Sequence, residues 1–152
     1  MSREVRRVPM NWQHPMEWRE QWNQRERRAT MQRVPKPLFS NYANHLAYFT
    51  ADPGDFDGDA PDPADYMPDF GDRDDLGYCM YETTSEGTPI SPVFATPEEL
   101  ARWLADTGAS AFGDMGASYE QWLAVARGGW APSAVVDSKG LRSGVEAMGD
   151  RA

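Results

Sequence analysis

The sequence is poor in the residues from which proteins build disulfides, metal sites and hydrolytic active sites. It contains one cysteine, Cys79, and two histidines, His14 and His45, in 152 residues. A single cysteine excludes an internal disulfide and is typical of a reducing cytoplasm. Two histidines without a second cysteine leave too few ligands for a usual zinc site. We therefore predict neither a bound metal nor a cofactor.

Long apolar runs are also missing. No stretch approaches the roughly 20 apolar residues that cross a bilayer, and the N-terminal arginines precede no apolar segment of a secretory signal. The hydrophobic fraction is 40% and the aromatic fraction is 12%, so a few large aromatic side chains must supply much of the buried surface. The length predicts one small domain without a membrane segment.

Sequence motifs of catalysis are absent as well. No glycine-rich phosphate loop follows a candidate strand, and no G-x-S-x-G turn is present. An EF-hand alignment of the acidic residues 55–59 puts Pro53 and Ala64 where the loop needs its first and last carboxylates, which argues against calcium. Neither histidine lies near a convincing nucleophile in the sequence. A non-enzymatic protein is predicted.

The charges are segregated along the chain. Residues 1–37 hold nine Lys/Arg and four Asp/Glu, whereas residues 38–92 hold one basic and twelve acidic residues. The whole chain carries a formal charge of −9. Such a distribution either pairs the chain with itself or offers two opposed surfaces to partners.

The division into domains follows this charge pattern. Residues 1–37 are predicted to form a basic N-terminal segment with a helix from Pro15 to about Arg33, in which Trp18 and Trp22 share a face. That helix either binds nucleic acid or an anionic partner, or packs its tryptophans. Residues 38–152 are predicted to form a single α+β domain that includes an acidic loop at 52–75.

Two helices have clear starts and stops. Thr96 and Pro97 begin the first, predicted over 97–107, and Ser118 begins the second, which ends at the glycine pair 128–129. Their short connection predicts a helical hairpin whose tryptophans, Trp103 and Trp122, approach one core. Residues 76–84 alternate as a strand, and 134–143 resemble a hairpin with a four-residue loop, 137–140, that ends in glycine. A partly loose tail follows at 144–152. The fold class is α+β, with the helical hairpin packed on a short antiparallel sheet.

The acidic loop offers a specific function. It holds ten aspartates and no glutamate, and Asp, Pro and Gly favour turns over helix. Along an extended chain, acids two or three residues apart are spaced coarsely like a row of phosphates. The candidate partner-binding residues are Asp52, Asp55, Asp57, Asp59, Asp62 and Asp65. The alternatives are a solvated linker and an internal partner for the basic segment.

A second candidate site lies around the turn at 85–92. Its side chains and a nearby aromatic wall suit a nucleotide-like ligand. The candidate ligand-binding residues are Glu82, Glu86, Thr88, Ser91 and Trp103.

Several sequence strings resemble a family of small acidic proteins of tailed bacteriophages and prophages. They are MSREVRRVP with the His14-Pro15 pair, PDPADYMPDF, YETTSEGTPISPVFATPEELARWLADTGASAFGDMGASYEQWL, GGWAPSAV and RSGVEAM. The resemblance covers the first fifteen residues and most of the chain from about Pro61 onward. It implies a phage origin and the cytoplasm of an infected bacterium, and it brings no catalytic residues.

Taken together, these observations predict a phage-encoded, non-enzymatic binding protein. Its expected partner is a host bacterial protein of defence or nucleic-acid processing, inhibited by DNA mimicry through the acidic surface. Direct nucleic-acid binding is expected only through the basic N-terminal helix. The alternative functions are sequestration of a small nucleotide-like molecule and a structural or assembly role in the virion.

Overall fold

The structure, a computed structural model, describes residues 2–52, 54, 59–83, 87–132, 134–137 and 140–149. Within these ranges the elements are β1 (Ser2–Pro9), β2 (Met16–Asn23), β3 (Arg28–Pro35), α1 (Tyr42–Ala51), β4 (Leu76–Thr83), β5 (Thr88–Pro89), α2 (Pro97–Asp106), α3 (Tyr119–Gly128), β6 (Trp130–Ala131), β7 (Ala134–Asp137), β8 (Gly140–Ser143) and α4 (Gly144–Gly149). A short 3-10 turn at Pro63–Asp65 lies between α1 and β4. This combination of helices and antiparallel strands in one small domain confirms the predicted α+β class.

A four-stranded antiparallel sheet in the order β5-β4-β1-β6 forms the centre of the fold. β1 and β4 pair along their whole length, from Ser2 opposite Thr83 to Pro9 opposite Leu76. β6 pairs with β1 only at Arg3 and Glu4, so it leaves the rest of that edge of β1 uncovered.

The helices α2, α3 and α4 cover one face of the sheet. Met80 of β4 meets Leu100 and Leu104 of α2, Trp122 of α3 and Val145 of α4 in one cluster of fully buried side chains. The predicted helical hairpin packed on an antiparallel sheet is therefore confirmed. Apolar burial of this kind is the main source of stability in such a domain.

The helix starts follow the local sequence signals. The Thr96 hydroxyl accepts a hydrogen bond of 3.1 Å from the amide of Glu99 at the start of α2. At α3, Ser118 and Gln121 exchange side-chain and backbone bonds in a reciprocal capping box. These caps satisfy amides that have no partner within the helix. They fix where each helix begins.

The opposite face of the sheet has its own smaller core. Val8, Cys79 and Tyr81 are buried there, and Trp12 and Phe70 are among the side chains that pack against them. Met67 and Phe70, which follow the 3-10 turn, lie against this face. A bridge between Phe39 and Tyr66 joins the backbone before α1 to the backbone after the 3-10 turn.

The predicted N-terminal helix is wrong. Residues of that segment form β2 and β3, a two-stranded antiparallel hairpin, and β1 lies in the central sheet. A spacing of four residues, as between Trp18 and Trp22, places side chains on one face of a helix but also on one face of a strand. The Asn23 side chain accepts bonds from the amides of Arg25 and Glu26, which closes the turn that reverses the chain.

The C-terminal region also departs from expectation. The hairpin of β7 and β8 is confirmed, but Asp137 pairs with Gly140, so its loop is shorter than predicted. The loose tail predicted at 144–152 is wrong over its described part, because α4 occupies Gly144–Gly149 and buries Val145 completely. The Ser143 hydroxyl accepts a bond from the amide of Glu146 at the start of this helix.

Candidate partner-binding surface

The hairpin of β2 and β3 (the ribbon, residues 16–35) is joined to the rest of the chain at its base. The amide of Lys36 donates to the carbonyl of Pro15 across that base, at 2.9 Å. Its strands pair with each other, and neither makes extensive contact with any other helix or strand in the described part of the chain. The ribbon is therefore attached to the body mainly through its base, with the face that carries Trp18 and Trp22 the more exposed of its two faces.

The two faces of the ribbon differ in character. Residues opposite each other in an antiparallel pair point to the same face, and successive residues point to opposite faces. The register places two groups on separate faces. The first face (the aromatic face) carries Met16, Trp18, Glu20, Trp22, Ala29, Met31, Arg33 and Pro35. The other face carries Glu17, Arg19, Gln21, Asn23, Arg28, Thr30, Gln32 and Val34.

The aromatic face is solvent-exposed. Trp18 is 66% exposed, Trp22 58%, Met31 60% and Met16 40%. Single exposed apolar residues are normal on a protein surface, but four on one strand pair form a continuous patch. Such a patch is a candidate interaction site.

Five arginines lie on the ribbon, one of them, Arg33, on the aromatic face itself. Arg19 and Arg28 are engaged in ion pairs with Glu17 and Glu26, at 2.6 Å and 2.9 Å. Three others on the ribbon, Arg25, Arg27 and Arg33, have no ion pair or side-chain hydrogen bond with any described residue. Their charges are available to an anionic partner.

The predicted acidic row is only partly described. Asp52, Asp59, Asp62 and Asp65 are exposed, while Asp55 and Asp57 lie outside the described residues.

Two of the described aspartates have structural partners. Asp62 accepts a bond of 2.9 Å from the amide of Ala64 and so begins the 3-10 turn. Asp65 lies 3.4 Å from the ammonium of Lys36. The hypothesis that the acidic segment pairs with the basic one therefore has one contact in its favour, while Asp52 and Asp59 remain exposed.

The structure does not gather the second predicted site into one pocket. Glu82 and Thr88 are cross-strand neighbours on β4 and β5. Ser91 instead accepts a bond from the amide of Met80 and donates to the carbonyl of Pro92. Trp103 packs beside Phe94 with 6.1 Å between ring centroids. Glu86 lies outside the described residues.

Sequence reasoning missed a buried polar group on the β1–β4 sheet. The Tyr81 hydroxyl lies 2.8 Å from His14 Nδ1 and 3.1 Å from the indole nitrogen of Trp12. The other ring nitrogen of His14 lies 2.6 Å from the carbonyl of Lys36. Each of these side chains is held by a structural hydrogen bond. The HP pair at 14–15 was visible in the sequence, but its partner is 67 residues away.

The single cysteine belongs to the same side of the sheet. Cys79 is buried, and burial raises the pKa of its thiol to about 11. A thiol with so high a pKa holds almost no thiolate at neutral pH, and the thiolate is the nucleophile. Cys79 is therefore a packing residue.

Comparison with known proteins gives no match to a family model, to a curated protein or to a solved structure. The resemblance to phage proteins consequently stays a prediction. Among the described residues, no helix has both the length and the apolar character needed to span a bilayer. The same residues contain no cluster of three or more His, Cys, Asp or Glu side chains suited to a metal ion.

Proposed function

We propose that this chain is a phage-encoded, non-enzymatic binding protein that docks onto a host bacterial protein through the ribbon. The partner belongs to a defence or nucleic-acid-processing system, and binding in the bacterial cytoplasm inhibits it. The observation that carries the proposal is the exposed aromatic face, beside arginines that form no ion pair within the described part of the chain.

The energetics of the ribbon support a docking role. An isolated two-stranded hairpin is marginally stable in water, and a partner that covers one apolar face removes that weakness. Tryptophan and arginine are also the residue types most enriched among those that dominate binding energy. Trp18, Trp22 and Arg33 lie together on the aromatic face. This face has the composition of the centre of an interface.

The same face defines the chemistry of the partner. Its apolar centre fits an apolar groove, and Arg25, Arg27 and Arg33 fit acidic residues around that groove. A nucleic acid fits less well, because Glu20 lies between the two tryptophans on this face and the whole chain carries a formal charge of −9. We therefore favour a protein with an acidic rim.

The exposed aspartates of 52–75 supply a second contact in this proposal. Asp52 and Asp59 do not have the structural roles that Asp62 and Asp65 have. A row of such negative charges attracts a basic groove on a partner. Such a contact gives the protein its DNA-mimicking character. It adds rate and specificity to the docking of the ribbon.

The test compares matched variants on the two faces of the ribbon. One variant combines Trp18→Ser with Trp22→Ser, and the control combines Gln21→Ser with Thr30→Ser on the opposite face. Proteins captured by the wild type from infected cells are identified, purified and titrated against both variants. The tryptophan variant should lose about 100-fold or more in affinity, while the control stays within about threefold of the wild type.

A third variant separates the ribbon from the acidic segment. It replaces Asp52 and Asp59, together with Asp55 and Asp57, by asparagine. If this variant loses binding while the tryptophan variant retains wild-type affinity, the docking site is the acidic segment and the assignment to the ribbon is wrong. Finding the protein in purified phage particles at a fixed stoichiometry would instead favour the virion role.

A further inference from the structure

A cleft of about 650 Å³ lies on the face of the sheet opposite α2 and α3. It is bounded by β1, the start of α1, the 3-10 turn and the residues that follow that turn. The short β6, which pairs only with Arg3 and Glu4, leaves this part of β1 open. A volume of this size falls within the range of small-molecule sites.

One arginine of β1, Arg6, lines the cleft with a buried side chain. The Arg6 side chain is 8% exposed. Its Nε donates to Glu4 and its Nη1 donates to the carbonyl of Leu38 at 2.8 Å. Its Nη2 has no hydrogen bond with any described residue, so a nine-tenths-buried guanidinium keeps donors for a group in the cleft.

Arg7, the next residue of β1, also borders the cleft, but its guanidinium lies on the other face of the sheet. It stacks on Tyr78 at 3.9 Å from the ring centroid, and Tyr78 packs against the cluster under α2 and α3. Arg6 is therefore the arginine whose side chain serves the cleft.

The start of α1 adds backbone donors to the same cleft. Its N-cap residue, Asn41, makes no side-chain capping bond, and the first turn contains no acidic residue. The first helical hydrogen bond runs from the amide of His45 to the carbonyl of Asn41, so the amides of Tyr42 and Ala43 have no helical partner. An uncapped helix start next to an arginine favours an anion.

Aromatic side chains form the remaining wall. Tyr42 and Tyr66 pack edge to face with 5.2 Å between ring centroids, and Phe70 lies on the same lining. One acidic residue, Asp69, also lines the cleft, but its Oδ1 accepts a hydrogen bond from the amide of Gly71. Hydrogen-bond donors suited to an anion thus lie next to flat apolar surfaces on which a planar ring can pack.

We propose that this cleft binds a small anion attached to a planar ring, of the size and chemistry of a nucleoside monophosphate. The phosphate lies between the start of α1 and the free donors of Arg6. The base lies against Tyr42, Tyr66 and Phe70. The site is separate from the ribbon, so it stands or falls independently of the proposed docking function.

Calorimetric titration of the full chain tests the ligand class. The probes are AMP, UMP, inorganic phosphate and adenosine. AMP and UMP should bind. Inorganic phosphate and adenosine should each bind at least about tenfold more weakly than AMP, because each fills only half of the cleft. Absence of binding by both monophosphates would overturn the proposal.

A matched pair of variants tests the position. Ala43→Asp puts a carboxylate at the helix start, where it favours the helix but repels the phosphate, and Ala43→Asn is its neutral counterpart. We expect Ala43→Asp to lower AMP affinity about tenfold or more, Ala43→Asn to stay within about threefold of the wild type, and both to keep the wild-type melting temperature. Wild-type affinity in Ala43→Asp would refute the site.

Amide NMR locates the ligand independently of these variants. The backbone amides of Tyr42 and Ala43 should shift when AMP is added, whereas the indole signal of Trp103, on the other face of the sheet, should stay in place. Shifts confined to other parts of the chain would place the ligand elsewhere and contradict the assignment.

Discussion

The hydroxyl of Tyr81 and Nδ1 of His14 lie 2.8 Å apart, which joins the central sheet to the base of the ribbon. The carbonyl of Lys36 only accepts, so the His14 nitrogen facing it carries the proton. In neutral His14 the Nδ1 atom is then an acceptor, and Tyr81 donates to it. The Tyr81 oxygen in turn accepts the indole N–H of Trp12. Burial raises the pKa of Tyr81, which keeps the phenol protonated for this role.

This network predicts the effect of Tyr81→Phe. Removing the hydroxyl leaves the indole N–H of Trp12 and Nδ1 of His14 without their partner in a half-buried place. The free energy of unfolding should fall by about 1–3 kcal/mol, measured by urea denaturation. Tyr78→Phe is the matched control, because the Tyr78 hydroxyl makes no side-chain bond to a described residue, and it should change stability by less than about 0.5 kcal/mol. Equal losses in the two variants would contradict the network.

His14 also makes stability depend on pH. Burial, the largest cause, lowers its pKa from 6.5, the charge of Arg6 lowers it further, and the bond to Lys36 opposes them. Well above pH 6.5 the ring is neutral in both states. As pH falls below that value, the unfolded chain binds the proton first, so the free energy of unfolding decreases until pH reaches the folded pKa.

The measurement is a series of urea midpoints between about pH 7.5 and about pH 5, for the wild type and for His14→Gln. The wild type should lose more stability than the variant over this interval. The same slope in both proteins would mean that His14 binds its proton equally well in the folded and unfolded chains.

The features that the sequence predicts correctly are local. Thr96 and Ser118 cap the helices they were expected to begin, because capping depends on residues three positions apart. The ribbon was mistaken for a helix because Trp18 and Trp22 fit both periods, and the choice depends on the turn at Asn23. A short Asx turn is a weak signal within a run of arginines.

The candidate sites depend on contacts between distant residues. The cleft needs β1 to pair with β4, about 70 residues later, and then needs α1 and Tyr66 to close over Arg6. No local spacing in the sequence predicts these contacts between distant residues. By contrast, the acidic row was read from the sequence alone, and Asp62 and Asp65 proved to have structural partners that a linear spacing cannot show.

Two glycines with similar backbones allow a steric test. Gly87 has φ +71° and Gly71 has φ +62°, so alanine is strained at both. A Cβ atom at Gly87 would overlap the carbonyl oxygen of Leu38, whereas at Gly71 nothing lies within 4 Å. We expect Gly71→Ala to cost about 1 kcal/mol and Gly87→Ala clearly more than about 2 kcal/mol in thermal or urea unfolding. Equal costs would show that residues 38 and 87 are not packed against each other.

The geometry at the base of the ribbon indicates that residues 16–35 can be deleted without breaking the fold. Pro15 and Lys36 already have the carbonyl-to-amide bond, at 2.9 Å, that joins the first and fourth residues of a tight turn. Replacing residues 16–35 by Asn-Gly, a preferred two-residue hairpin turn, therefore closes the chain without moving His14 or the sheet.

The excised variant should unfold within about 1 kcal/mol of the wild type in urea, because neither ribbon strand makes extensive contact with another described element. It should lose the partner while keeping the AMP affinity of the cleft, which uses no residue of 16–35. A variant that fails to fold would show that the ribbon stabilises the body. A folded variant that retains the partner would instead place docking elsewhere, because the exposed tryptophans would then contribute nothing to it.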